Sequence, residues 1–168
     1  WIKFCGFLVG KEKKATDYFD QLVVNFDTLK SLVKSVELPT VLSGTMYGST
    51  WFLPGGRNYN AQLLRDAGAQ YLWADDLSSG WLNLDFETVY EKASEADFWI
   101  GVSDFRSLEE LNNSDSRYAD FKSYQTGNVY TYTNRVNAIG ASDYFESGNV
   151  HPDRLLADHI KILHPELL

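Results

Sequence analysis

Between residues 12 and 35 the apolar positions Ala15, Tyr18, Phe19, Leu22, Phe26, Leu29 and Val33 recur at spacings of three and four, with Lys and Asp filling the other positions. That period predicts a long amphipathic helix. The segment before it, Trp1 to Val9, is apolar from its first residue and lacks an initiator methionine. It reads as the last turns of a helix ended by Gly10, and the chain as the C-terminal part of a longer protein. Pro39 stops the helical pattern and Thr40 to Leu42 begin a strand. The strand breaks at once into Ser43, Gly44 and Thr45, displays Met46, Tyr47, Trp51 and Phe52, and closes on Pro54-Gly55-Gly56. Two readings of these aromatics stand. They wall a ligand crevice at the carboxyl end of the strand, where open α/β sheets bind ligands, or Trp51 and Phe52 lie on a second small strand and fill core.

Further along, Asn58 is placed to cap a helix reaching about Ala67, with Tyr59, Leu63 and Leu64 inward and Gly68 at its end. Gln70 to Ala74 reads as a second strand ending in Asp75-Asp76, and residues 77–84 as a loop. Asp85 caps a helix over 86–94, and the apolar run Phe98 to Val102 is a strand covered on both faces. Ser107 with Glu110 is a capping-box pattern. Val129 to Thr133 is the fourth strand. Asp143 with Glu146 marks another short helix, and Pro152 opens a final one that buries Leu155, Leu156, Ile160 and Leu163. Strands alternating with helices predict an α/β fold: a Rossmann-like, mostly parallel four-stranded sheet with helices on both faces, preceded by a long helix.

Composition narrows the partners. A net charge of -8 over 168 residues leaves no basic stripe for nucleic acid. One cysteine, Cys5, permits neither an intrachain disulfide nor a cysteine metal cluster. No apolar run reaches the ~18 residues of a membrane helix. Aromatics are in surplus, with 5 Trp, 10 Tyr and 10 Phe. The chain has no P-loop, no dinucleotide fingerprint and no nucleophile elbow. His151, His159 and His164 form no helical ligand pair and read as surface or capping residues. Asp75 and Asp76 at a strand end suit magnesium, or equally are solvated loop carboxylates. No nucleophile–base pair is evident, and Ser43, Tyr47, Trp51, Phe52, Trp73, Trp81, Asp104 and Arg135 at the strand ends suit holding a large ligand rather than transforming one.

Four segments in order resemble one family. They are Gly10-Lys11-Glu12 with the long helix, residues 41–75 (VLSGTMYGSTWFLPGGRNYNAQLLRDAGAQYLWAD), residues 84–101 (LDFETVYEKASEADFWIG) and residues 135–167 (RVNAIGASDYFESGNVHPDRLLADHIKILHPEL). Together they resemble the C-terminal lobe of the periplasmic substrate-binding proteins that deliver ferric siderophores, haem or cobalamin to ABC importers. The resemblance implies that residues 1–36 hold the end of an interlobe helix and the long helix after it, and residues 37–168 the C-terminal α/β lobe. It also implies a metal-chelate ligand in an interlobe cleft, a membrane permease as partner, a periplasmic location with any lipid anchor on the part before residue 1, and neither catalysis nor a resident cofactor or metal. Phe52 stands where the family sets an aromatic on the ligand, with Trp51 beside it. Trp81, Asp143 and Tyr144 match other cleft positions, and Glu87 matches a glutamate that docks on permease arginines. Tyr47 and Arg135 join the ligand set from their place at the strand ends. Ser147 stands where a cobalamin-binding relative carries arginine, a departure from the cobalamin pattern. Glu87 alone would read as an ordinary helix-start carboxylate, and Arg135 could pair with Asp104 or Asp143. Two other classes stay open: a metal-dependent α/β enzyme using Asp75, Asp76 and Asp104, and a scaffold or dimerisation module whose aromatics are interface.

Overall fold

The computed structural model describes residues 1–168 throughout. Helix α1 (Ile2–Leu8) turns at Gly10, which has φ of +64°, into α2 (Glu12–Leu32). The predicted long helix is present, but only Ala15 within it is buried. Phe26 and Leu29 pack on the core, whereas Phe19, Val23 and Val24 stay exposed. Its N-terminal half packs against α1 and donates from the Tyr18 hydroxyl to the Val150 carbonyl at 2.6 Å, and its C-terminal half docks on the core and on the final helix, α7 (Pro152–Leu163).

Strand β1 (Thr40–Ser43) lies inside a four-stranded parallel sheet of order β4-β1-β6-β7, where β4 is Gln70–Tyr71, β6 is Phe98–Ile100 and β7 is Val129–Tyr130. Val41 and Leu42 are fully buried, as β-branched and aliphatic residues covered on both faces should be. The predicted strands at 70–74 and 129–133 shrink to two residues each. The Leu72 amide still donates to the Val41 carbonyl at 3.2 Å, but the backbone then folds into a turn, with the Ala74 amide donating to the Tyr71 carbonyl at 3.1 Å, so Trp73 and Ala74 leave the ladder.

A second sheet, three-stranded and antiparallel, has order β2-β3-β5 with β2 Thr45–Tyr47, β3 Thr50–Pro54 and β5 Trp81–Leu84. Residues 77–84, expected as loop, therefore supply a strand, and Trp51 and Phe52 do lie on a small strand.

Caps follow the sequence closely. Asn58 Oδ1 accepts from the Asn60 amide at 3.0 Å at the start of α3 (Tyr59–Asp66), although Tyr59 is exposed rather than inward. Asp85 accepts from the Thr88 amide at 2.7 Å ahead of α4 (Phe86–Ala93). Ser107 Oγ accepts from the Glu110 amide at 3.0 Å before α5 (Leu108–Ser114), while the Glu110 carboxylate reaches back to the Arg106 amide at 2.7 Å, and the short α6 (Lys122–Gln125) follows. Asp85→Ala should lower stability by about 1 kcal/mol, read as a fall in the urea midpoint, because the first turn of α4 loses its cap. The helix expected after Asp143 is absent. Its carboxylate is drawn to Arg135 at 2.9 Å instead of capping, and only a 3₁₀ turn, Ser147–Val150, follows.

The centre of the core is aromatic. Trp51 stacks on Trp99 with ring centroids 5.3 Å apart and meets Tyr118 and Phe121, each at 5.7 Å. Both indoles are satisfied: Trp51 Nε1 donates to the Ser43 carbonyl at 3.1 Å and Trp99 Nε1 to the Gly44 carbonyl at 2.8 Å.

Candidate functional site

The second sheet hangs from the carboxyl end of β1 through Gly44, whose φ of +79° lies in the left-handed region. A side chain there would also run into the Phe52 carbonyl oxygen, so glycine is required twice over. Register then sorts the aromatics. Tyr47 pairs with Thr50, Thr45 with Phe52, Phe52 with Asn83, and Pro54 with Trp81. Because side chains alternate between faces, Tyr47, Phe52 and Trp81 share one face of the sheet and Trp51 points from the other. Tyr47 is 84% exposed, Trp81 57% exposed and Phe52 half-buried, whereas Trp51 is fully buried. Trp51 is thus a correction to the expected ligand set. It is core, with its ring and its N–H both committed.

Arg135, Asp143 and Tyr144 lie elsewhere, lining a cavity of about 580 Å³ between β7 and α7. Arg135 Nη2 meets Asp143 Oδ2 at 2.9 Å, which selects Asp143 over Asp104 as its partner. Tyr144 stacks on Tyr132 at 4.0 Å and donates its hydroxyl to Asn60 Oδ1 at 3.2 Å, tying this loop to α3. Burial pushes the Tyr132 phenol up to about 12 and raises Tyr144 as well, so both rings stay neutral at physiological pH. The six remaining ligand candidates therefore form two groups, an exposed aromatic face and a polar loop beside a cavity.

Two of the three histidines depart from expectation. His159 and His164 are buried. His159 Nδ1 meets the Leu155 carbonyl at 2.7 Å, and His164 Nε2 meets the Gly68 carbonyl at 3.0 Å. His151 sits at the start of α7, with Nδ1 2.8 Å from the Tyr18 hydroxyl. Burial lowers the His159 pKa below its ordinary 6.5. The unfolded chain then takes up that proton more readily than the folded one, so stability is full above about pH 7 and falls as pH drops through 6.5. Urea midpoints between pH 7.5 and 5.5 should decline by no more than the one-proton slope of about 1.4 kcal/mol per pH unit, and His159→Phe should flatten the decline.

Glu87, in the first turn of α4, is exposed and only loosely paired with Arg117 at 3.5 Å, since Arg117 is held more closely by Asp115 at 2.7 Å. Asp76 Oδ1 accepts from the Ser78 amide at 2.8 Å and the Ser78 hydroxyl at 2.5 Å, bonds that hold its carboxyl below the usual range. Asp104 is bonded by Ser103 Oγ at 3.0 Å. No three His, Cys, Asp or Glu side chains converge as a metal site would require, and no helix is long and apolar enough to cross a membrane. Residues that sequence reasoning passed over are His159, and Gly101 with φ of +82°, which lets Tyr132 close on the end of β6. The alternation of Tyr130 and Tyr132 was the available signal for the latter.

The chain thus joins a parallel sheet to an aromatic-bearing sheet hung from one strand end, with a long helix before both. The sequence profile described as periplasmic binding protein matches residues 1–136, and the chain belongs to that family. Two uncharacterised lipoproteins of Methanocaldococcus jannaschii are 27% and 28% identical to it over 99% of the chain. The chain spans 38% and 42% of their lengths. Among solved structures, an ABC transporter solute-binding protein from Sulfurospirillum deleyianum superposes with a TM-score of 0.73 at 16% identity, covering 99% of this chain and 50% of that one. An ABC transporter substrate-binding protein from Listeria monocytogenes gives a TM-score of 0.71 at 19% identity, covering 98% and 62%. A protein from Staphylococcus epidermidis, described as possibly iron-binding, gives 0.71 at 18%, covering 97% and 60%. Identities this low carry the fold and nothing about the ligand.

Proposed function

We propose that this chain is the C-terminal lobe of the solute-capture component of an ABC importer. In this reading residues 1–36 carry the end of an interlobe helix and the long helix after it, and residues 37–168 form the lobe. The carrying observation is the shared outer face of Tyr47, Phe52 and Trp81 at the carboxyl end of β1, where two large rings lie in solvent with no core task. Exposed aromatics grouped at a strand end mark a binding surface more than a folding need. Their breadth suits a large, partly delocalised ligand, and the class we assign is a metal chelate: a ferric siderophore, haem or a corrinoid. Arg135, Asp143 and Tyr144 supply the polar side of the wall. Capture is reversible and non-enzymatic, and takes place outside the cytoplasm. The parent protein is periplasmic or lipid-anchored, as the lipoprotein relatives suggest. Exposed Glu87 then orients the loaded protein on the permease, a rim contact that sets approach more than affinity.

The test uses the full-length protein that carries this chain, with tryptophan fluorescence titrated against haem, cobalamin and several ferric siderophores under inner-filter control. One class should quench saturably, and Trp81→Ala should weaken that class about tenfold, the loss of one well-placed ring. Absence of saturable quenching by every class would remove the reading.

A further inference from the structure

The cavity between β7 and α7 holds a buried group that nothing in the fold employs. His159 is only 5% exposed, and its Nδ1 lies 2.7 Å from a carbonyl of its own helix. A carbonyl only accepts, so Nδ1 carries the proton and Nε2 presents a lone pair. No protein group hydrogen-bonds Nε2, although the ring lines the cavity. Nε2 is therefore free to accept from a molecule in the cavity. Of the donors around the cavity, Tyr144 is committed to Asn60, Arg135 to Asp143, and Lys161 to the Pro165 carbonyl at 3.2 Å.

The rest of the wall limits what can supply the missing donor. Ile100, Val129, Leu155 and Ile162 are apolar, and the stacked Tyr132–Tyr144 pair offers a flat aromatic side. Charges on the rim nearly balance, since Arg154 and Lys161 stand beside Asp158 on α7 while the Arg135–Asp143 pair is internally neutral. A charged ligand thus gains little there, and a polyol would waste the apolar walls. The volume of about 580 Å³ lies within the range of drug-sized pockets and exceeds what a single ring fills.

We propose that this cavity is a second binding site, sharing Tyr144 with the polar side of the capture wall but not its aromatic face, for a neutral aromatic alcohol larger than one ring, its body against Tyr132 and Tyr144 and its hydroxyl donating to His159 Nε2. The site goes beyond the capture reading, because a ligand held there needs neither Trp81 nor a metal. Burial lowers the imidazole's pKa below its ordinary 6.5, so the ring is neutral at pH 7.

Calorimetry on the full-length protein would compare 2-naphthol with 2-methoxynaphthalene, which keeps the body and lacks the donor. The expected result is saturable binding of one 2-naphthol per chain, at least tenfold tighter than the methyl ether. Trp81→Ala should leave both affinities unchanged, which separates this site from the aromatic face. His159→Phe should erase the preference while keeping the weak binding of the ether. Where that variant does not fold, the ligand pair on the unaltered protein decides alone. Equal affinity for the two ligands, no saturable binding of 2-naphthol, or loss of binding in Trp81→Ala would each overturn the proposal.

Discussion

Trp51→Ala should cost about 3–5 kcal/mol, the range for emptying a fully buried large aromatic site. A domain of this size has roughly 5–15 kcal/mol in total, so much of its stability goes with one side chain. The estimate rests on four contacts made at once. The ring stacks on Trp99, meets Tyr118 edge-on, tilts against Phe121 and reaches Phe86 at 6.3 Å. Its loss also leaves the Ser43 carbonyl without the indole donor. Trp81→Ala, from the exposed face of the same sheet, should change stability by less than about 0.5 kcal/mol. Urea unfolding of both variants, followed by circular dichroism, separates the roles. If Trp51→Ala kept the urea midpoint and lost ligand instead, the core assignment would fail.

That contrast also shows where reading the chain as a sequence stops. Trp51 and Phe52 are neighbours of similar size and character, and the sequence put both on a pocket wall or both in the core. A strand cannot do that, because adjacent side chains face opposite ways and a one-residue slip in register exchanges them. The decision is made by the pairing of Phe52 with Thr45 and Asn83, and Asn83 lies in a stretch that reads as loop. Elements whose signals are local were legible: the caps at Asn58, Asp85 and Ser107, the proline at the start of α7, and its buried row of Leu155, Leu156, Ile160 and Leu163. Features made by distant partners were not. His164 meets Gly68, 96 residues away, and no period in the chain announces it. Asp143 carries a capping pattern, yet Arg135 outbids it for the carboxylate. The ends of β4 and β7 were overextended for a related reason. Tyr71 and Tyr132 belong to β-prone runs, but β4 turns away after Tyr71 while β1 continues to Ser43, and β7 stops where β6 ends at Ile100.

Gly44→Ala should be at least as damaging as a core truncation and should remove binding along with stability. An alanine at φ of +79° carries left-handed strain of about 1 kcal/mol or more. Steric cost adds to that, since the new methyl meets the Phe52 carbonyl and the Leu53 backbone rather than a side chain that can swing away. Backbone must therefore move, and the backbone in question is β3. On one face β3 carries Trp51 into the core, and on the other it sets Phe52 between Tyr47 and Trp81. Relief by shifting β3 strains the aromatic core, and relief by reopening β1 breaks the Trp99 indole bond to the Gly44 carbonyl. The total should exceed about 3 kcal/mol. Gly48→Ala is the matched control, because that glycine also has positive φ, at +62°, but nothing lies within 4 Å of the position its side chain would take. It should show only the left-handed penalty and keep its ligand. Denaturation midpoints and chelate titrations of the two variants in the full-length protein give the comparison. Equal, mild effects at both positions would mean that the close approach of β1 and β3 does not hold the aromatic face in place.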